Sequence, residues 1–134
     1  MKTKSNVLAS FLAAAVLADG DYDEFKQDLV KEYVEDLELK NLEKEVEKAI
    51  DDMQKMSDDE YAETLEKEAA KVAANEKEGV LTLCLQILCS DALLTKVEME
   101  NFFDFADLLD IDEDRAGEIL DEFVEDEDEL IIEQ

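Results

Sequence analysis

Residues 7–39, VLASFLAAAVLADGDYDEFKQDLVKEYVEDLEL, align without a gap on residues 79–111, GVLTLCLQILCSDALLTKVEMENFFDFADLLDI, at an offset of 72. Leu8 falls on Val80, Phe11 on Leu83, Ala15 on Ile87 and Val16 on Leu88. Past the turn, Phe25 falls on Val97, Val30 on Phe102, Leu37 on Leu109 and Leu39 on Ile111. Self-similarity of this length marks a supersecondary unit present twice. Each copy reads as an apolar helix, a short acidic hinge and a second helix. The hinges carry Asp19-Gly20 and Asp91-Ala92, and Asp23 and Thr95 stand at the same place as N-caps for the helices that follow.

Working outward from the two copies gives about seven helices. The first covers roughly 6–18 and ends at Gly20, a residue free to take the left-handed conformation that stops a helix. The second follows Asp23 with the stripe Phe25, Leu29, Val30, Tyr33, Val34 and Leu37; the third follows Asn41 with Leu42, Val46, Ala49, Ile50 and Met53. Ser57 with Glu60, and Thr95 with Glu98, are capping boxes opening the fourth and sixth. The fifth, about 77–89, is apolar almost all round and is expected to be the most buried. Asp112 caps the seventh, and no alternating run makes a convincing strand. The expected architecture is all-α, a single-domain bundle over 1–125 followed by an acidic tail over 126–134.

A length of 134 residues with 46% hydrophobic residues suffices for one core. The net charge of −27 repels nucleic acid and favours cations or basic protein segments. Residues 97–134 hold 17 acids against the single base Arg115. The tail ends near the apolar triplet Leu130-Ile131-Ile132, which reads either as part of a solvated end or as a docking segment. No run is long enough to span a bilayer.

Cys84 and Cys89, five apart on one helix, point about 140° from each other and read as core thiols of a reducing compartment, here the cytoplasm. A competing reading takes Lys2, Lys4 and the apolar run 7–17 as a secretory signal cut after Ala18. The repeat opposes it, because the same run aligns with the internal stretch 79–89.

Histidine is absent, no serine, threonine or cysteine has a histidine partner, and three glycines make no phosphate loop. The chain is therefore expected not to be an enzyme. Asp19-Gly20-Asp21-Tyr22-Asp23 imitates the start of a calcium loop, but Glu24 and Val30 occupy the sixth and twelfth positions, where glycine and a bidentate glutamate belong. The loop beginning at Asp110 fails in the same way, with Arg115 and Asp121. Two readings of the hinges remain. Packed about a pseudo-twofold axis, Asp19 and Asp91 would approach each other, with Glu98 one turn into its helix, and a Ca²⁺ or Mg²⁺ ion would relieve their repulsion. Otherwise Asp19 and Asp91 bond their own turns and Glu98 completes its capping box.

At these hinges the chain resembles the TerB-like family, the all-helical tellurite-resistance domain. The resemblance lies in Ala18-Asp19-Gly20-Asp21-Tyr22-Asp23 and in Ser90-Asp91-Ala92-Leu93-Leu94-Thr95 with Glu98, within a layout covering roughly 6–125. It implies a compact helical bundle, a cytoplasmic stress-response setting and metal binding at Asp19, Asp91 and Glu98. Two positions depart from the family pattern: Lys26 stands where a glutamate is expected, and Ala92 replaces the second glycine. Lys26 is a candidate to take the cation's place by pairing with the carboxylates. The expected function is a non-enzymatic acidic module that binds a divalent cation at the hinges and works through protein contacts. The alternative is a metal-independent adaptor whose acidic C-terminal half engages a basic partner.

Overall fold

The computed structural model describes residues 2–127 and 130–132. It is all-α: α1 Ser5–Asp19, α2 Glu24–Asp36, α3 Leu42–Gln54, α4 Asp58–Ala69, α5 Lys77–Leu88, α6 Lys96–Leu108 and α7 Glu113–Asp126, with a 3-10 turn at Ala74–Glu76 before α5. Two short strands, β1 Leu93–Leu94 and β2 Ile131–Ile132, pair in parallel. Of the acidic tail, Asp128, Glu129, Glu133 and Gln134 lie outside the described residues.

The duplication extends to the backbone. α2 and α6 begin and end at positions 72 apart, Glu24 with Lys96 and Asp36 with Leu108. Both stop in the same motif. The Leu39 N–H donates to the Val34 carbonyl and Ile111 to Ala106, while Glu38 donates to Glu35 and Asp110 to Asp107. This is the paired bonding of a Schellman cap, which places a left-handed residue after the helix. That residue is Glu38 (φ 55°) in one copy and Asp110 (φ 58°) in the other. The hinges share a positive φ, at Gly20 (120°) and at its counterpart Ala92 (61°), but differ in length: α1 runs on to Asp19, whereas α5 stops at Leu88, the counterpart of Val16. Alanine adopts such a φ only at a steric cost that glycine escapes, so the second hinge is held by its surroundings.

α1 is the centre of the bundle, packed chiefly on α3 and α5 and also on α4 and α6. Nine of its residues, Val7–Ala9 and Phe11–Val16, are buried. This corrects the expectation that the fifth helix would lie deepest. Thr82, Leu83 and Gln86 leave α5 partly open, whereas Ala13, Ala14 and Ala15 let neighbouring helices close on α1 from several sides. The start of α1 is fastened across the fold. Glu76 accepts from the Lys2 and Thr3 amides and from the Thr3 hydroxyl, and that hydroxyl in turn accepts from the Ala73 amide.

Side-chain caps form at Asp23, Ser57, Thr95 and Asp112. Thr95 and Glu98 make the full reciprocal box. At α4 only half of the expected box closes, because Glu60 accepts from the Ser57 hydroxyl and not from the Ser57 amide. The apolar triplet returns to the second hinge: Ile131 donates to the Ala92 carbonyl, and Ile131 and Ile132 pair with Leu93 and Leu94.

Candidate functional site: the hinge cluster

Three of the four groups at the first hinge follow from helix-end chemistry. Asp19 is the last residue of α1, Asp23 caps α2, and Lys26 is the third residue of α2, its amide donating to Asp23 Oδ1. Helix α6 supplies the fourth from the equivalent position, since Glu98 is the counterpart of Lys26 at the offset of 72. Residues at equivalent positions of the two copies, one a cation and one an acid, therefore both reach Asp19.

Lys26 is 2% exposed, a rare environment for lysine without partners. Its Nζ lies 2.8 Å from Asp19 Oδ2 and 3.2 Å from Asp23 Oδ2. Burial disfavours the ammonium, but the bonds to Asp19 and Asp23 outweigh it and hold the Lys26 pKa above its ordinary value. Asp23 is held below the usual carboxylate range: burial opposes this, and the bonds from the Lys26 amide and ammonium prevail.

Glu98 is 3% exposed. Its Oε1 accepts from the Thr95 amide at 2.9 Å, while Oε2 is buried with no protein donor. Burial, and then the hydrogen-bonded Asp19 carboxyl beside it, push the Glu98 pKa up to about 7. Two carboxyls in contact avoid carrying two charges by sharing one proton. A proton on Glu98 Oε2 directed to Asp19 also gives the otherwise orphaned oxygen its partner.

The folded-state pKa of Glu98 is raised above the ordinary 4.5, so between those values the native state binds more protons than the unfolded chain. Stability must then fall as pH rises across that window. Glu98→Gln keeps an acceptor for the Thr95 amide and offers a permanent N–H to Asp19. We expect the variant to match wild type near pH 4.5 and to exceed it by roughly 3 kcal/mol at pH 8. Urea unfolding of both proteins across this range checks the difference, in which titration of carboxylates away from the Asp19–Glu98 pair cancels. Parallel curves would refute the shared proton.

Of the three hinge residues singled out as metal ligands, the fold gathers Asp19 and Glu98. Asp91 is exposed and accepts from the Leu93 amide at 3.1 Å, serving its own turn. Among the described residues no group of three acidic or cysteine side chains is placed to hold a metal ion. Lys26 occupies the space between Asp19 and Asp23. Asp19 is only 7% exposed at its side chain, whereas Asp23, at 42%, forms the open edge of the cluster.

Sequence reasoning took Asp23 only as a cap and missed its second role as an ion-pair partner. The signal was present, since a lysine three residues after an N-cap aspartate brings its ammonium back to the cap. Cys89 lies nearby, and burial followed by the charges of Glu98, Asp91, Asp19 and Glu127 drives its thiol up to about 12. Burial alone does the same to Cys84, whose Sγ donates to the Phe11 carbonyl. Both remain free thiols with little thiolate character.

The chain matches no family model, no curated protein and no solved structure.

Proposed function

We propose that this protein is a non-enzymatic acidic helical module that acts through contacts with a basic partner protein, with Lys26 in the seat a divalent cation would take. The observation that carries this reading is the buried Lys26 ammonium, bound to Asp19 and Asp23. An internal cation that cannot dissociate neutralises the hinge permanently, and a Ca²⁺ ion would have to displace it against two ion pairs. What remains for recognition is the surface, whose −27 charge attracts basic protein and repels nucleic acid and anionic lipid. No helix among the described residues is long and apolar enough to cross a membrane. The TerB-like layout of the hinges is the ground for proposing a stress-response setting, and the two free thiols are the ground for a cytoplasmic one.

Calorimetric titration of metal-stripped protein with Ca²⁺ and Mg²⁺ at about 150 mM salt tests this. The expected result is weak uptake without defined stoichiometry, the same in wild type and in Asp19→Asn/Asp91→Asn. One saturable site lost in that double variant would overturn it and restore the cation reading at Asp19, Asp91 and Glu98.

A further inference from the structure

A groove of about 440 Å³ opens beside the hinges, between α2, the end of α5 and the end of α7. One wall is two turns of α2, where Phe25, Asp28, Leu29 and Glu32 follow the helical spacing i, i+3, i+4, i+7. Phe123 of α7 and Leu130 of the returning tail form the apolar side opposite. Phe25 is 66% exposed and Ile131, next along the tail, is 65% exposed; among the described residues the other large apolar side chain this open is Val97. The rim carries Asp28, Glu32 and Glu127, and among the described residues no lysine or arginine lines the groove.

The charge selects the occupant. A second copy of this chain brings another −27 and is repelled, as are anionic lipid and nucleic acid. Apolar walls from Phe25, Leu29, Phe123 and Leu130, over a mixed floor of Gln86, Cys89, Ser90 and Ala92 and edged by carboxylates, suit a helix with large aliphatic side chains on one face and Lys or Arg beside them. We infer that this groove receives a basic amphipathic helix of a partner protein. The inference rests on the interaction-module reading and adds to it the surface and the chemistry of the partner.

The test uses a fluorescent peptide of leucine and lysine, about four helical turns long, with its leucines in one stripe. A second peptide of the same composition has its leucines spread round the helix. Anisotropy is read at about 150 mM salt against wild type, Phe25→Ala, Asp28→Asn/Glu32→Gln, and a remote control, Asp59→Asn/Glu63→Gln. The striped peptide should bind one to one. Its affinity should fall about tenfold in Phe25→Ala and several-fold in the Asp28/Glu32 variant, and should be unchanged in the remote control. Phe25 is exposed, so its truncation leaves the fold intact, as thermal unfolding will verify.

Equal binding of both peptides, with equal loss in the two charge variants, would overturn the groove and leave the acidic-surface reading standing. Binding of neither peptide would sink both. Sedimentation of the free protein covers the remaining occupant: a dimer abolished by Phe25→Ala would assign the groove to a second copy and overturn the inference.

Discussion

A chain beginning at Asp19 is expected not to fold. It should show no cooperative thermal transition and should lose most of its helical circular-dichroism signal, while the full chain melts cooperatively. Removing residues 1–18 deletes nine buried residues from the helix on which α3, α4, α5 and α6 pack. Five of them, Val7, Leu8, Phe11, Leu12 and Val16, are large apolar side chains at 1% exposure or less. At roughly 1.5–3 kcal/mol each, their burial approaches the 5–15 kcal/mol that stabilises a whole domain. The deletion also leaves the α3 and α5 faces against water and removes Thr3, the partner of Glu76 and of the Ala73 amide. A truncated protein with a sharp transition would show that α1 is dispensable. It would also make cleavage after Ala18 compatible with a folded product; the packing of α1 says that cleavage there destroys the bundle.

The repeat made the helices readable because each hinge carries its own chemistry. Asp23 and Thr95 cap equivalent helices, and the apolar stripes on α2 and α6 follow from spacing alone. Depth was less readable. The sequence of α5 is as apolar as a core helix, yet only the packing shows that α1, with its three consecutive alanines, is the one surrounded. The left-handed residues after α2 and α6 were hidden as well, because Glu38 and Asp110 replace the glycine that usually announces a Schellman cap. At the site, the sequence pointed to Asp19 and Glu98 and raised Lys26 as a substitute cation. It placed Asp91 with them on the assumption of a symmetric hinge. The symmetry holds at the ends of α2 and α6 but not at the hinges: α5 stops at Leu88, the counterpart of Val16, so Asp91 lies beyond its helix and bonds its own turn, whereas Asp19 still belongs to α1. The groove escaped notice for a related reason. Phe25 belongs to the α2 stripe by periodicity, and nothing in that spacing reveals that its edge of the helix is uncovered.

Lys26→Met should be the most damaging single substitution at the hinge, costing about 3–5 kcal/mol at neutral pH. Methionine fills nearly the same volume, so the loss measures charge and not packing. With the ammonium gone, Asp19 keeps its carboxylate at 7% exposure beside Glu98, with no cation within reach to offset it. An uncompensated buried charge is far more costly than an ion pair that was never formed. The control is Lys26→Met/Asp19→Asn, which removes both charges and gives Glu98 a neutral amide to bond. Its stability should recover to within about 1–2 kcal/mol of wild type, so the two substitutions are strongly non-additive. Urea unfolding of wild type, both single variants and the double variant measures that coupling. Additive losses, or a Lys26→Met cost below about 1 kcal/mol, would mean that the pair behaves like a solvated surface bridge. The claim that Lys26 holds the hinge in place of a metal would then fail. A large coupling would instead show that the first hinge, where Asp19 and Asp23 converge, is held by Lys26, the residue whose counterpart in the second copy is Glu98.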